Sequence, residues 1–277
     1  MQAYIEVPNQ MITASNGVRY AYRTSGIQEA VPLVLLTHLS ANLDNWDPRL
    51  IDALAKERYV ITFDNQGVGL SSGRVPITIE QMARDVLPLL DALGYDKVDI
   101  LSLSMGGMVA QELIKIAPQR VRKLILSGTG PRGGVGIRAV TRISNIDLVK
   151  SLVTFKDVKT YLFFTSSTAS QQKARLFLEQ IHLRKKNRDK NITIPAYVHQ
   201  LKAIHTWGKQ SSEALDFITQ PTLVVNGDQD RMVPTENSYV LAKKIQDSDL
   251  IIYPDAGHAS IFQEPTLFAK QALAFLA

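Results

Sequence analysis

A serine, a pair of aspartates and a histidine each follow an apolar run directly, and together they have the residue types of an acyl-transfer relay. Ser104 lies in Leu101-Ser-Leu-Ser104-Met-Gly-Gly107, after Lys97-Val-Asp-Ile100 and before the helical run Met108 to Ala117. A β-rich stretch thus breaks into small residues around one serine, and an amphipathic helix resumes at once. In such a strand–turn–helix elbow a tight turn lifts the hydroxyl above the sheet edge, and the following helix N-terminus points its N–H groups at a developing oxyanion. The acids Asp228 and Asp230 follow Pro221-Thr-Leu-Val-Val-Asn-Gly227. His258 follows Leu250-Ile-Ile-Tyr-Pro-Asp-Ala-Gly257. A hydroxyl, a base within its reach and a carboxylate to orient that base are what nucleophilic catalysis by serine requires. Asp255 reads as a turn residue after Pro254. His38 reads as a loop-stabilising residue, and His182, His199 and His205 lack metal-ligand spacing.

With the order Ser, Asp, His, the chain resembles the α/β-hydrolase superfamily along nearly its whole length. Val31-Pro-Leu-Val-Leu-Leu-Thr-His38 looks like the strand leading into the family's oxyanion loop, and Asp64-Asn-Gln-Gly-Val-Gly-Leu-Ser71 is close to its D-x-R-G-x-G-x-S segment. Three positions depart from the pattern: Ser102 for the first Gly of G-x-S-x-G, Leu39 for the Gly after His, and Gln66 for Arg. The resemblance favours Asp230, the second Asp of G-D-x-D, as the acid. It implies an oxyanion hole made by the N–H groups of Met105 and Ser40, with no cofactor or metal. It further implies a serine hydrolase that cleaves a small carboxylic ester or lactone through an acyl-enzyme. Two alternatives share the scaffold: a cofactor-free perhydrolase (haloperoxidase), with peroxide replacing water, and a ligand receptor, which would not need all three groups.

The elements that must position these residues are legible as alternation. Met11 to Arg23 reads as a hairpin turning at Asn16-Gly17. Continuous apolar runs near 32–37, 59–63, 97–102, 121–127, 221–226 and 249–254 read as strands buried on both faces. Helical patterns near 48–57, 78–93, 105–117, 235–246 and 265–277 separate them, which predicts a mostly parallel sheet flanked by helices, the α/β-hydrolase fold that the resemblance implies. The alternation lapses after Gly130-Pro-Arg-Gly-Gly-Val-Gly136. The glycines at 133, 134 and 136 do not have the setting of a dinucleotide site. With the resemblance, this implies a hydrolase core from 1–130 and 215–277, with 131–214 inserted as a helical cap like the family's.

Composition sets the outer bounds. A chain of 277 residues, 45% hydrophobic, can bury a large core. It has no cysteine, which excludes disulfides and thiolate metal sites. Neither an export leader nor an apolar run of roughly 18 residues is visible, so the expectation is a soluble, cytoplasmic chain with no membrane partner. Residues 131–214 carry 15 Lys+Arg against 5 Asp+Glu, within a chain whose total charge is +5. Cations turned inward would favour anionic acyl substrates, but long basic side chains ordinarily keep their heads in water. The densest run, Arg184 to Lys190, accordingly reads as a solvated helix face. Without interleaved aromatics it does not point to nucleic acid.

Overall fold

A computed structural model describes residues 2–277. Eight strands form one sheet: β1 (Gln10–Thr13), β2 (Arg19–Ser25), β3 (Leu33–Leu36), β4 (Val60–Phe63), β5 (Val98–Leu103), β6 (Val121–Ser127), β7 (Thr222–Gly227) and β8 (Ser248–Tyr253). Their spatial order is β1-β2-β4-β3-β5-β6-β7-β8. β1 and β2 form the antiparallel hairpin anticipated at Asn16-Gly17, with Thr13 opposite Arg19 and Gly17 at φ +78°. β2 runs antiparallel to β4, and all later pairings are parallel. The interior strands β3, β4, β5 and β7 are buried at every residue, as expected of strands covered on both faces.

Ten helices accompany the sheet: α1 (Pro48–Leu54), α2 (Ile79–Ala92), α3 (Met105–Ile116), α4 (Val140–Thr154), α5 (Lys159–Phe163), α6 (Thr168–Ile181), α7 (Ile194–Lys209), α8 (Glu236–Lys244), α9 (Ser260–Gln263) and α10 (Pro265–Leu276). Successive side chains of a strand point to opposite faces, so each strand feeds two cores. Val34, Leu36 and Ile100 pack with Val86 of α2, Leu113 of α3 and Leu241 of α8. Leu33, Leu35 and Leu101 pack with Leu54 of α1 and Phe268 of α10 on the other face. The winding reverses at β3, whose neighbours are β4 on one side and β5 on the other. Such a reversal opens a crevice beyond the strand ends, the general ligand position of open α/β sheets.

Between β6 and β7 the chain runs through α4 to α7 without a strand. This helical insert leans on the core through α6, where the ring of Phe177 stacks on Phe262 of α9 at 4.9 Å and 13°. One expectation fails here. Arg184 to Lys190 is not a helix face, because α6 ends at Ile181 and α7 begins only at Ile194. Arg184 is buried, and its guanidinium donates to the carbonyls of Ile5 and Val7, both at 2.9 Å. The Asp189 N–H donates to Asp44, which is itself paired with buried Arg23 at 2.5 Å. Carbonyls of an irregular N-terminal segment need donors once they leave water, and this loop supplies them. The charge count of the run carries no information about those distant acceptors.

Candidate active site

Ser104 joins β5 to α3 with φ +57° and ψ −116°, a conformation that costs energy for any residue with a side chain. The neighbouring residues make it attainable. Ser104 N–H donates to Ser127 O at 2.9 Å, tying the turn to the adjacent strand. A β-carbon on Gly106 would collide with the carbonyl of Leu36, and one on Gly107 with the side chain of Thr129. Ser102 is fully buried, and its hydroxyl donates to Ile125 O at 2.7 Å. That bond explains how serine stands where glycine is usual: the extra oxygen is satisfied by the next strand instead of being stranded in the core.

Beyond β7, Asp230 is buried and accepts the N–H groups of Met232 and Val233 on Oδ1, at 2.8 and 2.9 Å. Its other oxygen, Oδ2, lies 2.8 Å from His258 Nδ1, and His258 Nε2 lies 2.8 Å from Ser104 Oγ. The carboxylate is an acceptor only, so the neutral imidazole carries its proton on Nδ1 and turns the Nε2 lone pair to the serine hydroxyl. The structure therefore brings together the three residues expected from the sequence. Asp228 stays outside, exposed, accepting the Ala256 N–H at 3.2 Å. Asp255 is a turn residue at φ +50° that accepts the hydroxyls of Thr165 and Ser167, and these hydrogen bonds lower its pKa.

The other histidines serve structure. His38 Nδ1 donates to Leu39 O at 2.8 Å, its ring stands edge-on to Phe163 at 4.9 Å, and burial lowers its pKa to about 3. It therefore stays neutral through the physiological range. His199 and His205 donate to the carbonyls of Val75 and Arg138, and His182 ends α6.

The Ser40 expectation needs correction. The loop passes through φ +64° at Ser40, and the Ser40 N–H donates to Oε1 of Gln200 at 2.8 Å. Gln200 is a fully buried side chain of α7, 160 residues away. It engages the amide that the resemblance had assigned to an oxyanion. No local pattern around Gln200 announces this contact. The Leu39 and Met105 N–H groups, by contrast, donate to no acceptor among the described residues. Met105 opens α3, where a free N–H is the rule.

Ser104 and His258 lie at one end of a cavity of about 300 Å³ between the strand ends and the insert. Leu39, Leu148, Leu162, Phe163 and Met232 give it a largely apolar wall. Of the fifteen insert cations, only Lys159 lines it.

A family model described as alpha/beta hydrolase fold matches residues 31–265. The chain belongs to that family. An alpha/beta hydrolase fold protein from Chitinophaga pinensis superimposes with a TM-score of 0.93 at 37% identity, covering 99% of both chains. A 2-hydroxy-6-oxononadienedioate/2-hydroxy-6-oxononatrienedioate hydrolase from Klebsiella pneumoniae subsp. pneumoniae is 31% identical, over 83% of this chain and 80% of its own length. A poly(3-hydroxyalkanoate) depolymerase from Ectopseudomonas oleovorans is 29% identical, over 98% of this chain and 91% of its own. The α/β-hydrolase architecture expected from the sequence is thereby established. No helix among the described residues is long and apolar enough to cross a membrane.

Proposed function

We propose that this α/β hydrolase cleaves a small carboxylic ester or lactone through an acyl-enzyme on Ser104. One observation carries the reading: Ser104 Oγ, His258 and Asp230 stand in unbroken hydrogen-bond contact at the end of an apolar cavity. Ser104 Oγ attacks the acyl carbon as its proton passes to His258 Nε2, and Asp230 holds the imidazole in the required tautomer. The carbonyl oxygen, now negative, is received by the Met105 N–H. The Leu39 N–H replaces Ser40 as the second donor, because it is free while the Ser40 amide is held by Gln200. Each such donor is worth about 3 kcal/mol in the transition state. His258 then returns the proton to the leaving alkoxide, which departs as alcohol. Water, deprotonated by the same nitrogen, attacks the acyl carbon and releases the acid with the Ser104 hydroxyl restored.

In this reading residues 131–214 act as a cap that closes the cavity and selects the acyl group by shape. A poly(3-hydroxyalkanoate) is an ester polymer, so the Ectopseudomonas relative lends ester chemistry some support. The test is steady-state turnover of nitrophenyl esters of graded chain length, with a γ- and a δ-lactone beside them. Saturable release with a preference for apolar acyl chains is expected. Absence of turnover on every ester and lactone would overturn the proposal.

A further inference from the structure

The outer face of α4 has no counterpart in the reading above. An insert helix ordinarily turns its apolar stripe to the core and its polar side to water. α4 is apolar on both sides. Val140 and Leu148 line the cavity, while Val149 and Val153 stand 61 and 73% exposed on the opposite side, and Leu152, one turn beyond Leu148, is 68% exposed. The helix ends at Phe155, which takes φ +54°, where glycine is the usual residue, and is 97% exposed. Ile194 at the start of α7 is also exposed, and Tyr197 Oη donates to Asn145 of α4 at 3.2 Å, tying the two helices together. Exposed apolar side chains gathered on a water-facing helix mark a contact surface.

Charge chooses the partner. Arg142, Lys150 and Lys156 are exposed on and just after α4, whereas its one acid, Asp147, is buried and paired with Arg231. The next acid along the chain, Asp157, is half-buried and paired with Lys159. A second copy laid face to face would set these cations against each other. A surface of anionic lipid headgroups neutralises them while its acyl region takes up the apolar side chains, which is how interfacial helices bind. We propose that α4 with Phe155 docks this protein on an anionic lipid surface. The cavity reaches the surface beside the same patch, at exposed Leu148 and Ile194. An apolar ester dissolved in the lipid would enter there without crossing water.

Co-sedimentation of the full chain with vesicles tests this independently of turnover. The protein should pellet with vesicles of equal parts phosphatidylglycerol and phosphatidylcholine at low salt, and much less at high salt or with phosphatidylcholine alone. The triple substitution Val149→Ser, Leu152→Ser, Phe155→Ser should weaken the association about tenfold or more. Lys150→Gln with Lys156→Gln should weaken it several-fold. None of these residues lines the cavity, so kcat/KM on a soluble nitrophenyl ester should match the parent's in both variants, which also verifies their fold. No pelleting with anionic vesicles at low salt would overturn the proposal, as would equal pelleting of parent and triple variant. A dimer in solution that the triple variant abolishes, with no vesicle binding, would give the patch to a second copy instead.

Discussion

On the sheet side of the cavity the reactive atoms are fixed by backbone, whereas on the insert side the wall is made of side chains. Ser104 is held by a strained turn and by two glycines that tolerate no β-carbon, and Asp230 by two amides of its own loop. The insert wall is largely apolar, built from side chains such as Leu148, Leu162 and Phe163, and its ties to the core include the long-range bond of Gln200 to Ser40. Preorganised dipoles must not move when charge develops, so a rigid scaffold suits the sheet side. Packing shapes the pocket for an acyl group, and packing can be altered one side chain at a time. Reactivity should therefore depend on the sheet side, and selectivity on the insert.

The strongest challenge to this division is Ser104→Ala, which should cut kcat on an activated ester by on the order of 10⁶-fold while leaving the circular dichroism spectrum unchanged. A variant that retained a tenth of the activity would place the nucleophile elsewhere. Asp230→Asn should cost about 10⁴-fold, through the wrong imidazole tautomer, against a few-fold at most for Asp228→Asn. Side-by-side kinetics that reversed this ranking would contradict the carboxylate assignment.

On the insert side the effects should be smaller and should change with the substrate. Leu162→Ala should shift the preferred acyl chain by one or two carbons, altering kcat/KM ratios between neighbouring esters by about 10-fold to 100-fold. Lys159→Met should lower kcat/KM for a carboxylate-bearing ester by about tenfold or less, with its neutral analogue unaffected. Equal kcat/KM for the two esters in the parent would reduce Lys159 to a surface group.

The smallest effect concerns the loop beneath the insert. Asp64 and Asp189 both accept the Leu43 N–H, at 2.9 and 3.1 Å. Burial, and then the facing Asp189 carboxyl, hold the pKa of Asp64 well above the ordinary 3.8. The folded chain thus binds a proton that the unfolded chain releases. The associated stability is complete below that ordinary value and is lost as pH rises through the raised one. Asp189→Asn removes the facing charge, so the melting temperature should fall less than the parent's as pH is raised from below 3.8 to neutral. A pH dependence identical to the parent's would mean that Asp64 does not titrate against Asp189.

The same division explains what the amino-acid order made legible. Ser104, Asp230 and His258 each follow an apolar strand within a few residues, so local pattern located them and chain order linked them. The hairpin at Asn16-Gly17 and the alternation of strands and helices were readable for the same reason. Ser40 could not be judged locally, since its partner Gln200 arrives from another helix. Arg184 has the same difficulty: its burial depends on the carbonyls of Ile5 and Val7. The outer face of α4 escaped because an apolar helix read in isolation looks like core.

The contact of Gly106 with the Leu36 carbonyl sets a gap as well as permitting a turn. Leu36 ends the strand that leads to Leu39, and Gly106 is the second residue of the helix that begins at Met105. The pair acts as a spacer gauge between the two free amides, one hydrogen atom wide. Substituting alanine would not touch Ser104, His258 or Asp230, yet it would wedge strand and helix apart and, under the proposed mechanism, widen the seat for the oxyanion. The sequence may vary at 102, where a hydroxyl found its own acceptor, but at 106 it has no room for even one carbon.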